Sequence, residues 1–422
     1  MGEGSQPDIL LEHLFRREAG RMVAFFARLF GPAHLDLAEE TVQEAMLRAL
    51  QTWPYQGVPE NAAAWLFRVA RNSAIDAIRR RKMQAGEAML AEIARGDSIR
   101  EVDPLIEEQL RDDELRMIFM CAHPEISEEA SVALSLKTVG GFSVREIARA
   151  FLADEATIAQ RLVRAKRQIR ERGLSIEMPH GEELKQRLDS VLETIYLIFN
   201  EGYAAHEGED LIRRDLCEEA LRLGQLVATS SISTPKANAL VAMMALQAAR
   251  LAARVDEAGE LVLLEKQDRN RWDRELIGLG FHHFNLSMAG DEVTEYHAQA
   301  AIAATHARAG DAESIEWPWI LQFYDQLLEI NPSPVVALNR AVAVAKVRGP
   351  EEALAEVDHL EKRKLRDYYL LLAVRGHLLL ELGRTSEAAA NFEAALKLPC
   401  SEPERRFLRR KLEACRSPSA SE

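Results

Sequence analysis

Apolar residues recur every three to four positions along most of this chain, the spacing that gives an α-helix one buried face. The pattern holds over residues 9–84 and again over 116–173. Between them, 85–115 is rich in acids and poor in large apolar residues, which favours a solvated linker holding one helix at most. After a Gly and Pro break at 173–181, helical periodicity resumes at 182 and continues to about 415. The sequence therefore predicts an all-α protein with two small helical domains and a long helical extension.

The end of this extension carries an internal repeat. The stretch from Gly349 to Ala355 is similar to the stretch from Gly383 to Ala389, and the two glycines are 34 residues apart. This period, with an alanine-rich helix before each glycine, is typical of tetratricopeptide repeats. We therefore expect tetratricopeptide-like repeats over 331–416 and a separate helical segment over 182–330. A plain array of helical hairpins has the same pattern, so both readings stay open.

Two short basic stretches stand out because the whole chain of 422 residues has a formal charge of -14. Residues 71–82 hold five basic residues and one acid, and residues 157–172 hold six basic residues and one acid. Positive charge concentrated in two places on an acidic protein predicts contact with a polyanion, and nucleic acid is the first candidate.

Composition argues against a membrane or secreted protein and against a metal site. No apolar stretch reaches the roughly 18 to 20 residues that a membrane helix needs, and the N-terminus shows no export signal. The four cysteines lie far apart and form no CxxC pair. We expect a cytoplasmic protein with no metal, no cofactor and no membrane partner.

The second basic stretch has the pattern of a helix-turn-helix. Ser143 and Glu146 form a predicted capping box, and Asp154 is placed to cap the next helix. Three apolar positions of that helix face inward: Ile158, Leu162 and Ala165. The outer face then presents Thr157, Gln160, Arg161, Arg164 and Arg167. Early polar residues for base edges and later cations for phosphates are how this motif reads a major groove. An ordinary helical hairpin with a solvated basic face is the alternative.

The first basic stretch follows a polar-aromatic loop. An apolar stripe is predicted at Trp65, Leu66, Val69, Ile75 and Ile78, and the opposite face carries Arg68, Arg71, Asn72, Asp76, Arg79 and Arg80. The loop from Trp53 to Asn61 includes Tyr55 and two prolines, and such a loop can hold an extruded base by stacking and hydrogen bonds. A simple structural turn is the alternative for the loop.

Upstream lies a helix with an acidic face, formed by Asp36, Glu40, Gln43 and Glu44 at spacings of three and four. Val42, Ala45 and Leu50 are predicted to form its buried face. Acids directly before a nucleic-acid-binding helix suit a basic protein partner rather than DNA, although a solvated helix face has the same pattern.

Taken in order, these elements resemble the extracytoplasmic-function (ECF) class of bacterial sigma factors over about residues 9–173. The similarity rests on Glu40, Val42-Gln43-Glu44 and Arg48, on Trp65-Leu66 with Ala70-Arg71-Asn72 and Asp76, and on Glu146-Ile147-Ala148 with Arg161-Leu162. The remainder is similar to an ECF subgroup with a long extension ending in tetratricopeptide repeats. That similarity rests on the stretches 119–124, 197–203, 267–273 and 334–341.

The resemblance implies a sigma factor without enzymatic activity. Core RNA polymerase, through the clamp region of its β′ subunit, would be bound by Asp36, Glu40, Gln43, Glu44 and Arg48. The promoter −10 element would be bound by Tyr55, Asn61, Arg71, Asn72, Asp76, Arg79 and Arg80. The −35 element would be bound by Thr157, Gln160, Arg161, Arg164 and Arg167. The repeats would take a further protein partner.

Two other classes of protein remain in view. An enzyme would be housed in 183–330, around Asn200, Glu201 and Tyr203 with His206, Glu207, Glu209 and Asp210, or around His282, His283 and His297. No catalytic or metal motif supports this. A helical-repeat scaffold would leave the basic face of 157–172 without use, unless acids of the extension cover it. Whether the extension inhibits or braces the DNA-binding domains is open from the sequence.

Overall fold

The computed structural model describes residues 6–81, 104–151, 153–203, 212–257, 259–361 and 368–416. Within these ranges the chain forms eighteen α-helices, short 3-10 turns and a single isolated β-bridge, so the predicted all-α fold class is confirmed. No helix in these ranges is both long and apolar enough to cross a bilayer. The chain divides into two compact units, residues 1–197 and 198–422.

The described part of the first unit contains seven helices and part of an eighth. They are α1 (Gln6–Phe30), α2 (Leu35–Gln56), α3 (Ala62–Arg81), α4 (Pro104–Cys121), α5 (Glu128–Thr138), α6 (Val144–Ala150), α7 (Glu155–Arg172) and α8 (Gly181–Tyr203). Helices α1, α2 and α3 pack on one another around an aromatic cluster of Phe25, Phe26, Phe30 and Phe67.

The buried stripe of α2 runs through Ala38, Val42, Ala45, Ala49 and Trp53. These positions are spaced by three or four residues, so they remain on one side of the helix. Leu50 follows Ala49 directly and is turned about 100° away from it. The prediction that Leu50 is buried is wrong, because its side chain is 59% exposed.

The predicted acidic linker is partly a packed helix. Residues 85–103 lie outside the described part of the chain, but 104–115 belong to α4, which packs against α1. Asp113 is fully buried and its carboxylate lies 2.7 Å from Arg28 Nε of α1. Burial of Asp113 outweighs the attraction of Arg28 and Arg116 and raises the pKa of its carboxyl to about 6. A count of acids could not separate these buried positions from solvated ones.

The predicted helix-turn-helix lies in α6 and α7, which pack against each other. Both hydrogen bonds of the capping box are present, because Glu146 N donates to Ser143 Oγ and Ser143 N donates to the Glu146 carboxylate. The inward face of α7 is buried at Ile158, Leu162 and Ala165, as predicted. Asp154 stands at the N-cap of α7 but makes no side-chain capping bond.

Helix α8 contains the division between the two units. Arg187 in its first half is buried and donates from Nη2 to the Phe119 carbonyl of α4 at 2.7 Å. Leu188, Val191 and Ile195 are buried as well. The predicted break at 173–181 lies inside the first compact unit, which also includes residues 182–197.

The second unit continues as a chain of helices, each packed on its neighbours. They are α9 (Arg214–Ala228), α10 (Pro235–Ala248), α11 (Arg274–Ser287), α12 (Glu295–Arg308), α13 (Trp317–Ile330), α14 (Pro334–Arg348), α15 (Pro350–Glu361), α16 (Tyr369–Glu381), α17 (Thr385–Ala395) and α18 (Glu402–Arg416). Helix α10 is buried along most of its length, so it forms the centre of the first half of this unit.

The predicted repeat corresponds to two helical hairpins, α14–α15 and α16–α17. Their turns contain Gly349 and Gly383, both at positive φ, where glycine is favoured. An arginine stands at a related place in each hairpin. Arg340 contacts Asp325 of α13 at 2.6 Å and Glu356 of α15 at 2.7 Å. Arg375 likewise contacts Asp358 of α15 and Asn391 of α17. That these hairpins are tetratricopeptide repeats stays a prediction.

Candidate nucleic-acid and protein interface

The predicted acidic face of α2 is accessible. Asp36, Glu40 and Gln43 are exposed, and Glu44 is half-buried with Arg48 Nη2 donating to its carboxylate at 2.8 Å. Partial burial opposes the ionisation of Glu44, but hydrogen bonds and the charges of Arg48 and Arg80 prevail and lower the pKa of the carboxyl. The Glu44 carboxylate therefore stays ionised well below neutral pH.

Two leucines complete this surface and were missed from the sequence. Leu47 and Leu50 are each 59% exposed on the same helix. Both side chains are therefore available for contact with another protein, and they lie on the same helix as the acidic face. The signal was available in the sequence, since both residues lie outside the period of the buried stripe.

The predicted polar-aromatic loop is shorter than expected. Helix α2 continues through Pro54 to Gln56 and ends at Gly57, whose φ is +81°. Trp53 is buried, with its ring centroid 5.4 Å from that of Trp65, so it is part of the core. Tyr55 is 89% exposed. Asn61 is exposed, but its side-chain oxygen accepts a hydrogen bond from Ala64 N at 2.9 Å and so caps the start of α3.

The basic face of α3 points to solvent. Its exposed side chains are Arg68, Asn72, Asp76, Arg79 and Arg80, whereas Arg71 is half-buried. The packed face is formed mainly by small residues, Ala70, Ala74 and Ala77, together with Leu66 and Ile78. The prediction that Trp65, Val69 and Ile75 complete the buried stripe is only partly right, because these three are half-buried. Alanines let the backbone of α3 approach its neighbours closely, and a search for large apolar residues overlooks them.

The outer face of α7 is also accessible. Thr157, Gln160, Arg164 and Arg167 are exposed. Arg161 is half-buried and its Nη2 lies 2.9 Å from the Glu129 carboxylate of α5. The structure thus brings four of the five predicted −35 residues to the surface and holds the fifth in an ion pair.

The two predicted functional surfaces touch each other inside the first unit. Lys166 of α7 places Nζ 2.7 Å from Asp36 and 2.9 Å from Glu39, both on α2. Partial burial works against the charged amine, but the two carboxylates prevail and raise the pKa of Lys166. Asp36, predicted to bind polymerase, is therefore already paired with the helix predicted to bind DNA.

Backbone contacts support this ion pair. A Cβ atom on Gly20 of α1 would lie 1.8 Å from the Val139 carbonyl oxygen, which follows α5. A Cβ atom on Gly141 would lie 2.3 Å from the carbonyl oxygen of Arg16. Arg16 also pairs with Glu146 at 2.7 Å. Helices α1 and α2 are thus joined to α5, α6 and α7 by a tight contact, here called the closed contact, formed by Gly20, Arg16, Val139, Gly141 and the Lys166 pair.

Two of the histidines considered for an enzyme have structural partners. His283 Nδ1 lies 2.7 Å from Asn238 Oδ1, and His297 bonds Thr294 at the start of α12. Burial lowers the pKa of both histidines. The candidates from His206 to Asp210 lie outside the described residues. Among the residues that are described, no group of three His, Cys, Asp or Glu side chains is arranged to hold a metal ion.

The motif from Gln267 to Asp273 braces the second unit. Asp268 and Asp273 accept backbone hydrogen bonds at the starts of a 3-10 turn and of α11. The guanidinium of Arg269 lies 4.6 Å from the Trp272 ring and donates to the His306 and Ala309 carbonyls. These contacts tie three segments together, which accounts for the motif without a ligand.

Comparison with known families matches three segments of the chain. Residues 14–83 match Sigma-70 region 2, and residues 116–169 match Sigma-70, region 4. These two domains indicate a sigma factor, which binds core RNA polymerase and recognises promoter DNA. Residues 187–288 match a family of unknown function, DUF6596.

Two relatives extend this assignment. The uncharacterized protein R00370 of Rhizobium meliloti (strain 1021) is 42% identical over 383 residues, 90% of this chain and 90% of that protein. The chain belongs to the same family as that protein. The ECF RNA polymerase sigma factor SigE of Mycolicibacterium smegmatis is 28% identical over 161 residues, 38% of this chain and 60% of that protein. No solved structure matches the chain.

Proposed function

We propose that this chain is a sigma factor of the ECF class. It binds core polymerase through the α2 face of Asp36, Glu40, Gln43, Glu44 and Arg48, together with Leu47 and Leu50. It binds the −10 element with Tyr55, Asn61 and the α3 residues Arg71, Asn72, Asp76, Arg79 and Arg80. It binds the −35 element with the predicted α7 residues. No step needs covalent chemistry by the chain.

One observation carries this proposal. Two cationic helix faces stand exposed on a protein of charge -14, and each lies inside a segment that matches a DNA-binding region of sigma factors. Positive charge concentrated in this way favours phosphate contacts, while the acidic face of α2 repels DNA and suits a protein.

The closed contact must open for both promoter elements to be bound. Elements 25 base pairs apart are separated by roughly 85 Å at about 3.4 Å per base pair. Helix α7 is only about 27 Å long at 1.5 Å per residue, and Lys166 holds it against α2, on which α3 packs. Opening frees Asp36 for polymerase and separates the two basic helices.

Run-off transcription with core polymerase tests the assignment. Arg161→Glu with Arg164→Glu places acids opposite phosphates, so we expect at least about a tenfold loss of promoter-dependent transcript with unchanged polymerase binding. Glu40→Lys with Glu44→Lys reverses the acidic face, and we expect loss of polymerase binding instead. Arg274→Glu, an exposed reversal on α11, is the matched control. Full transcription by both double variants contradicts the residue roles.

A truncation experiment tests the role of the extension, and the structure shows where to cut the chain. Cutting after Gly173 removes Arg187 and the buried half of α8 from the first unit. Cutting after Tyr203 keeps α8 complete. Higher transcription by the chain ending at Tyr203 than by the full chain identifies the extension as an inhibitor. Lost transcription by a folded chain ending at Tyr203 identifies the extension as a brace.

A further inference from the structure

A non-helical segment of the second unit lies against the predicted repeats. Val255 and Leu261 form an isolated antiparallel bridge. Beyond it, Leu261, Leu263 and Leu264 line a cleft of about 340 Å³ together with residues of α14, α16 and α18. These three are the first helices of successive hairpins and the final helix, so they share one side of the array. We call this cleft the repeat groove and residues 259–266 the groove segment.

An ion pair anchors each end of the groove segment. Glu260 pairs with Arg410 of α18, and Glu265 pairs with Lys346 of α14 at 2.8 Å. Arg406 Nη2 also donates to the Gly259 carbonyl at 2.9 Å. The segment therefore lies in the groove like a short acidic peptide, with apolar side chains between two anchored acids.

The groove segment is loosely held for an internal part of a fold. Its three leucines are only half-buried. A second cleft of about 300 Å³ lies along it and is lined by Leu261, Leu263, Phe407 and Lys411. Both anchoring ion pairs are partly exposed, and such pairs add little stability. Segments with few buried contacts open at low cost in free energy.

We propose that the repeat groove is a docking site for an extended acidic peptide of a partner protein, which displaces the groove segment. The peptide carries leucine-like residues between two acids, the pattern that the chain itself places there. Helix α18 favours an acidic partner because Lys411 lines the repeat groove, Arg410 lines the second cleft beside it, and Arg406 donates to the Gly259 carbonyl at the start of the groove segment. A small apolar molecule would leave these cations without partners. The proposal stands apart from the role of the first unit in transcription.

Fluorescence anisotropy of a labelled peptide tests the proposal on the full chain. The peptide has the sequence from Gly259 to Lys266, with both ends blocked. The wild-type groove is occupied, so we expect weak binding. A variant with Leu261, Leu263 and Leu264 all changed to Ser vacates the groove, and we expect at least tenfold tighter binding. A peptide with serines in place of its leucines is the control, and we expect it not to bind.

A second pair of variants separates docking from damage to the fold. Glu260→Lys with Glu265→Lys removes only the anchors of the groove segment, and we expect it also to tighten peptide binding. Adding Arg410→Glu and Lys346→Glu to the serine variant is expected to abolish that gain. The proposal is overturned if neither vacated variant binds the peptide more tightly than wild type while circular dichroism shows intact helices. It is equally overturned if sedimentation shows vacated chains pairing with each other and excluding the peptide.

Discussion

Substitution of Gly20 by alanine tests whether the closed contact controls access to polymerase and promoter. Gly20 lies inside α1, and its added Cβ would stand 1.8 Å from the Val139 oxygen and 2.7 Å from the Val139 carbonyl carbon. Both atoms are backbone, so no flexible side chain can move aside. Helix α1 and the turn after α5 must separate by more than an ångström to admit the methyl group.

The size of the effect follows from two opposing contributions. Forcing extra atoms into a packed contact costs about 1–3 kcal/mol. Alanine in place of glycine inside a helix stabilises α1 itself by about 0.5–1 kcal/mol, in open and closed forms alike. The cost therefore falls on the closed form alone. A change of 1–3 kcal/mol shifts the equilibrium towards the open form by about 5- to 150-fold.

Energy transfer between dyes measures this shift. Gln51→Cys on α2 and Arg170→Cys on α7 supply exposed attachment sites, and Cys415→Ser removes the partly exposed native thiol. We expect Gly20→Ala to lower the transfer and to tighten core polymerase binding by a similar factor. Gly278→Ala in α11 has no atom within 4 Å of the added Cβ and is the matched control. Unchanged transfer and unchanged polymerase affinity in a folded Gly20→Ala protein refute the reasoning.

Three further outcomes are expected. Asp113 has a folded-state pKa of about 6 against 3.8 for an ordinary Asp, so its contribution to stability is complete below pH 3.8 and is lost as pH rises through 6. At about 1.4 kcal/mol per pKa unit, the difference between wild type and Asp113→Asn in free energy of unfolding should change by about 2 kcal/mol between pH 4 and 7 in urea titrations. Leu47→Ser with Leu50→Ser should weaken polymerase binding in a pull-down titration without lowering the melting temperature, because both side chains are exposed. Tyr55→Ala should reduce promoter opening, measured by permanganate footprinting, while duplex binding measured by gel shift stays near wild type.

Local patterns in the sequence predicted the elements and their exposed faces well. The capping box at Ser143, the inward face of α7 and the exposed basic face of α3 all follow from spacing within one helix. The errors arise where residue spacing does not determine which way a side chain points from its helix or which distant residue it contacts. Leu50 differs from a buried position by one residue, and the burial of Asp113 depends on Arg28 in a helix far away in sequence.

The closed contact was beyond sequence reasoning for a related reason. Lys166 and Asp36 are 130 residues apart, as are Arg16 and Glu146. Helical periodicity shows which way a side chain faces, but not which distant segment it meets. Gly20 gave no signal either, because a glycine inside a helix indicates a close approach only once the neighbouring backbone is known.

The arginines of the two hairpins make the helical array modular. Each arginine donates hydrogen bonds to a residue of the helix that precedes its hairpin and to a residue of the second helix of that hairpin. Excision of residues 341–375 would leave Arg340 between Asp325 upstream and Asn391 downstream. The shortened array would therefore keep an arginine with hydrogen-bond partners on both sides. Arrays built this way can lose or gain a hairpin during evolution without exposing an orphaned charge at the splice.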